Sequence, residues 1–113
     1  MTRTRLPDRR AAETVALEHD SARFMVTIGF YPDGKPGEVF THGARSGSNL
    51  DALLAGACVV VSCLMQHNVD PAALAASMGR LGNTKPASII GAVVDLVANT
   101  SAARQQETGE ISA

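Results

Sequence analysis

Residues 22–31 alternate strictly. Phe24, Val26, Ile28 and Phe30 fall on one face, and Met25, Thr27, Gly29 and Tyr31 on the other. A period of two with β-branched and aromatic residues predicts a strand buried on one face. A shorter alternation precedes it at 13–18, with Val15 and Leu17 in phase, and His19-Asp20-Ser21 is a turn triplet between them. Pro32, Asp33, Gly34, Pro36 and Gly37 interrupt the pattern with residues that form turns. Alternation resumes at 38–42, giving a three-stranded antiparallel meander.

The period then changes. Leu50, Leu53, Leu54, Ala57, Val60, Val61 and Leu64 recur at helical spacing through Gln66. Ser48 stands at the N-cap position with Asp51 three residues on. Val59-Val60-Val61 alone would suit a strand, but the length of the periodic run favours a buried helix. Asn68 is suited to end it in a left-handed conformation. Asp70-Pro71 opens a second helix, running through Met78 to Gly79. Residues 81–87 read as a loop. A third helix begins near Ser88 and carries Ile89, Ile90, Val93, Val94, Leu96 and Val97. The predicted fold class is α+β, a three-stranded meander followed by three helices packed on one sheet face. The predicted organisation is a flexible Arg-rich arm at 1–12, a single domain at 13–99 and a disordered tail at 100–113.

Composition adds bounds. The chain has 113 residues, enough for one domain, with 45% hydrophobic and 19% charged residues. Net charge is −1, so no overall field favours nucleic acid or an anionic membrane. Locally, Arg3, Arg5, Arg9 and Arg10 against Asp8 give the first ten residues +3. No run reaches the roughly 18 apolar residues of a membrane span, and the N-terminus lacks the apolar segment of a secretory signal. Cys58 and Cys63, five apart in an apolar run, are poorly placed for a mutual disulfide. A reducing, cytoplasmic setting is expected.

Several strings stand out together: Arg5-Leu6-Pro7-Asp8-Arg9, Val26-Thr27-Ile28-Gly29-Phe30-Tyr31, Asp33-Gly34-Lys35-Pro36-Gly37-Glu38-Val39-Phe40 and Ser46-Gly47-Ser48, followed by Leu64, Gln66, His67 and Val69. In this order and spacing they resemble the C-terminal region of adenosylcobalamin-dependent (class II) ribonucleoside-diphosphate reductases, grouped with free-standing relatives as TSCPD-domain proteins. The likeness covers roughly residues 5–78, and the string that names the group is not present. The resemblance implies a link to deoxyribonucleotide synthesis and thereby DNA replication. In the related reductases the adenosylcobalamin site and the reducible cysteines lie elsewhere. The resemblance therefore implies an accessory or regulatory domain that is inactive as a reductase alone, with no cofactor of its own, binding a ribonucleotide reductase polypeptide or a nucleotide. The alternative is a self-associating homodimer module without a ligand.

Candidate residues follow from both readings. A ribonucleotide reductase needs three cysteines, and Cys58 and Cys63 are two. On a helix they turn about 140° apart, and both read as core packing. No catalytic residue is assigned. Arg45, Ser46, Gly47, Ser48 and Asn49 precede a helix and would offer N–H groups and a guanidinium to an anion, with phosphate of a nucleotide the first ligand to test. The competing reading is a simple N-cap. His19, His42 and His67 lack metal-type spacing, so no metal site is assigned. Lys35, Glu38, His42 and Arg45 are the polar groups a small enzyme would use, although their spacing specifies no reaction. Met25 and Tyr31 on the second sheet face, with Arg5 and Arg9 of the arm, are the expected interface for a reductase partner or a homodimer. No membrane and no nucleic-acid partner is expected.

Overall fold

The structure, a computed structural model, describes residues 3–43, 49–82 and 84–112, with 105–112 described by backbone alone. Its order is β1 (Ala12–His19), β2 (Ala22–Phe30), β3 (Pro36–His42), α1 (Asn49–Gln66), α2 (Pro71–Ser77), β4 (Arg80–Leu81), β5 (Lys85–Pro86) and α3 (Ile89–Ser112). β1, β2 and β3 form an antiparallel sheet in sequence order. This is the predicted α+β meander with helices; the predicted turn residues and Asn68, Asp70 and Ser88 mark its element boundaries, and the predicted cap Ser48 lies outside the described residues.

Register explains the two sheet faces. Val15 pairs with Val26 and Leu17 with Phe24; across the other ladder Val39 pairs with Ile28 and Thr41 with Val26. Phe24, Val26, Ile28, Phe30 and Val39 thus share one face. They are buried against Leu54, Cys58, Val61 and Met65 of α1 and Val93, Val94 and Val97 of α3. Asp20 and Ser21 take positive φ at the β1–β2 turn. The next turn closes through the Tyr31 N–H on the Lys35 carbonyl and the Gly34 N–H on the Tyr31 carbonyl, with Gly34 at φ +89°. A bulge follows, since Gly29 pairs with Glu38 but Phe30 with Pro36. The bulge sets Gly37 under the Tyr31 ring, where a Cβ would collide with that ring.

Helix ends follow local chemistry. Asn68 adopts φ +67°, and the Val69 N–H bonds the Leu64 carbonyl, closing α1 in the Schellman manner. The Asp70 carboxylate accepts from the Ala72 N–H at 3.0 Å, with Pro71 at the first position of α2. The Ser88 hydroxyl accepts from the Gly91 N–H at 3.0 Å and starts α3.

Four observations stand beside the expectations. Residues 3–11 are not a free arm: the Thr4 N–H bonds the Gln66 carbonyl, Tyr31 Oη donates to the Thr4 carbonyl, and Arg10 forms an ion pair with Glu38. Partners far along the chain supply the order that local composition does not. The backbone of α3 runs past Thr100 to Ser112. Ser101 is buried, and the Arg104 guanidinium lies 3.9 Å from the Phe30 ring centroid and 3.2 Å from Glu13 Oε1. Within the expected loop, β4 and β5 pair, and Arg80 reaches Asp95 through two hydrogen bonds of 2.8 and 2.9 Å. Finally, α1 is long and apolar enough, by length and composition, to cross a membrane. Here only a third of it is buried inside the domain.

Candidate functional site

The β2–β3 ladder leaves one edge of β3 needing partners. The Val39 N–H has one proton to give, and gives it to Ser62 Oγ at 2.9 Å. Ser62 returns its own proton to the Val39 carbonyl at 3.3 Å. Gln66 Nε2 donates to the Gly37 carbonyl at 2.9 Å. Cys58 Sγ lies 3.9 Å from Thr41 Oγ1. Cys58, Ser62 and Gln66 are spaced i, i+4, i+8, so they form one polar stripe along a helix that is otherwise apolar. That stripe covers the strand edge and removes it as a template for further pairing.

Above this seam lies a cleft of about 290 Å³ lined by Arg3, Phe40, Thr41, Ala55, Cys58, Val59 and Cys63, with the Ser62 and Gln66 contacts in its floor. Both cysteines border it. Their separation around the helix places them on opposite sides of one wide groove, not on unrelated faces. Burial pushes the Cys58 thiol up, partly offset by its Thr41 contact. Cys58 is therefore a neutral, packed thiol rather than a nucleophile. The floor groups are all engaged, which leaves the rim as the part able to meet a ligand. Phe40 is 50% exposed and Val59 62%. At one end Arg3 holds Gln66 Oε1 through Nε, and its guanidinium marks the basic limit of the cleft. An aromatic face, an apolar lip and a guanidinium suit a planar or apolar group carrying an anion.

The residues expected from the sequence are distributed differently. Arg45, Ser46, Gly47 and Ser48 lie outside the described residues. Asn49 is the exposed first residue of α1. Tyr31 is half-buried beneath the docked arm, Arg5 and Arg9 are exposed, and Met25 is exposed on the second sheet face. Glu38 lies across Gly29 and is paired with Arg10, whose guanidinium also donates to the Pro7 carbonyl at 2.6 Å. His42 Nε2 is 3.2 Å from Thr27 Oγ1, and His67 Nδ1 is 2.8 Å from the Cys63 carbonyl. His19 is buried, with Nε2 at 3.3 Å from Asp20 Oδ2. Lys35 is exposed at the β2–β3 turn. Among the described residues no three His, Cys, Asp or Glu side chains converge on a point where a metal would sit. The residues that build the cleft but escaped the sequence reading are Arg3, Phe40, Thr41, Ser62 and Gln66. The i, i+4, i+8 run of Cys58, Ser62 and Gln66 was the available signal.

Comparison with known proteins gives a consistent relationship. The family model for the TSCPD domain matches residues 2–100, well beyond the span recognisable from motifs. Over 67 residues the chain is 34% identical to a vitamin B12-dependent ribonucleotide reductase of Rhodopirellula baltica. That alignment takes in 59% of this chain but 6% of the relative. No solved structure matches. The chain belongs to the TSCPD domain family and is a domain related to part of a vitamin B12-dependent ribonucleotide reductase.

Proposed function

We propose that this chain is an accessory domain of ribonucleotide reduction, which works by binding a reductase polypeptide or a nucleotide and not by carrying out the reduction itself. The observation that carries this reading is the cleft between β3 and α1. Its hydrogen-bonding floor is engaged in holding the fold, whereas its rim offers Phe40, Val59 and Arg3 to a visitor. A nucleobase would lie on the Phe40 face, and a phosphate or an acidic side chain of a partner would meet Arg3. At about 290 Å³ the cleft is at the small end of ligand sites. It is far too small to enclose a corrin macrocycle, so the reading places no cobalamin chemistry in this chain. The chain's two cysteines are one short of the reductase set, and Cys58 is held as a buried thiol.

Two measurements test the reading. Titration with ATP or dATP, followed by amide shifts, should move Phe40, Thr41 and Val59; movement at Gly47 to Asn49 instead would relocate the ligand to the loop. Immobilised protein should retain a vitamin B12-dependent reductase polypeptide, and Phe40→Ala should reduce that retention at least about tenfold, as removal of an exposed aromatic anchor does. Absence of both responses, at millimolar nucleotide and micromolar polypeptide, would remove the proposal. The purified chain supplied with adenosylcobalamin and a dithiol should form no deoxyribonucleotide.

A further inference from the structure

The side of α1 opposite the strand edge carries a second, separate surface. Leu50, Leu53, Ala57, Val60 and Leu64 follow spacings of 3, 4, 3 and 4, the repeat of a helix-pairing seam. Leu53 is 72% exposed, Val60 59% and Leu64 37%. No charged residue follows Asp51 within α1, so the α1 side chains of this stripe carry no charge. Beside the Leu64 end of the stripe runs a groove of about 330 Å³ lined by apolar side chains alone: Val60 and Leu64 on one wall, Leu74 of α2, Met78 just after it, and Ile90 and Val94 of α3 on the other.

Ridge and groove belong to the same face, and they are displaced along it. Leu53 protrudes at one end and stands outside the groove, whereas Leu64 borders the groove at the other, about 17 Å away along the helix axis. We propose that the occupant of this face is a second copy of the chain, its α1 antiparallel to the first across a two-fold axis near Ala57 and Val60. Antiparallel pairing sets Leu53 of each copy beside Leu64 of the other and directs it into the partner groove. Parallel pairing would instead bring the two Leu53 side chains together and leave both grooves unfilled. The fit is isologous, as a closed dimer requires. An uncharged face matches itself without leaving a buried charge unpaired. Leu53 at 72%, Val60 at 59% and Leu64 at 37% exposure leave apolar area on each copy to be covered, toward the roughly 600 Å² per partner at which stable interfaces begin. The β3–α1 cleft lies on another side of the helix, so the dimer stands or falls independently of the ligand reading.

Sedimentation of the full chain between about 1 and 100 µM should show a mass rising to twice that of one chain, as expected for a dimer of micromolar affinity. Val60→Glu, an exposed position in the single copy, should keep the circular dichroism of the parent and raise the dissociation constant at least about 100-fold. In a Cys63→Ser background, a mixture of Leu53→Cys and Leu64→Cys chains should oxidise to the mixed crosslinked dimer in preference to either self-crosslinked one. A single copy at 100 µM, a dimer unaffected by Val60→Glu, or preferred Leu53→Cys self-crosslinking would each overturn the proposal. So would a different occupant: a reductase polypeptide retained by the parent and released by Val60→Glu, or flotation of the parent with phosphatidylcholine vesicles. Loss of nucleotide or reductase binding in Phe40→Ala, with the dimer intact, would bear on the cleft alone.

Discussion

Two sides of α1 make opposite bargains with the same kind of residue. Toward β3, Cys58, Ser62 and Gln66 interrupt an apolar helix with polar groups, and two of these supply hydrogen bonds to a strand edge that would otherwise be bare. Away from β3, Leu53, Val60 and Leu64 are uniformly apolar and exposed. The buried side mixes Leu54, Val61 and Met65 with Ser62 and Gln66, whereas the open stripe is apolar throughout. A helix that only caps a solitary domain would carry polar or charged residues on that open stripe. A buried backbone edge calls for polar side chains among the apolar ones, and the apolar open stripe is the face assigned above to a second copy.

The comparison can be broken most directly at neighbouring positions. Leu54→Ala should cost about 2–5 kcal/mol of folding stability, because Leu54 is 2% exposed and its removal leaves a cavity. Leu53→Ala, one residue away, should change folding by less than about 0.5 kcal/mol when both are measured by urea unfolding in the Val60→Glu background. Equal losses would mean that Leu53 is packed in the single copy, and the contrast between the two sides would disappear.

A smaller effect is expected at the seam. Ser62→Ala should cost about 1–3 kcal/mol, because the Val39 N–H and carbonyl lose a buried partner. Amide exchange at Val39 should accelerate more than at Ile28, its neighbour across the ladder. Unchanged exchange and stability would show that the edge is not sealed by Ser62.

The smallest effect concerns the clamp behind the apolar groove. Arg80 holds the Asp95 carboxyl below its ordinary value, chiefly by hydrogen bonding, against an opposing effect of burial and with a smaller contribution from charge. A carboxyl whose folded value is depressed contributes stability that is fully present above its unfolded value, and this is lost as pH falls through the folded one. The thermal midpoint should therefore fall on acidification below the ordinary aspartate range, and Asp95→Asn should flatten that part of the profile. Both side chains keep about a quarter of their surface in solvent, which screens the pair, so the change should be smaller than that of Ser62→Ala. A profile that Asp95→Asn leaves unaltered would assign the acid sensitivity elsewhere.

Much of this architecture was legible from local pattern. Alternation through Phe24, Val26, Ile28 and Phe30 marked the buried sheet face, and Asn68, Asp70-Pro71 and Ser88 marked helix ends, because turn and cap chemistry acts within a few residues. The cleft was less legible. Arg3 meets Gln66 across 63 residues and Arg10 meets Glu38 across 28, and neither pairing leaves a short-range signature. The tail shows the same limit: residues after Thr100 are polar enough to look disordered, yet Ser101 is buried and Arg104 reaches Phe30 and Glu13.

Element types, their order, the inward sheet face and the family likeness thus follow from residue spacing, since periodicity and turn geometry are properties of neighbouring positions. Docking of residues 3–11, sealing of the β3 edge by α1, the gathering of Arg3, Phe40 and Val59 around one cleft, and the open stripe at Leu53, Val60 and Leu64 were settled only when the chain was packed. Each depends on which side of α1 meets the sheet. The helix is apolar around nearly its whole circumference, so hydrophobicity alone leaves that rotation undetermined, and the hydrogen bonds of Ser62 and Gln66 to β3 select it.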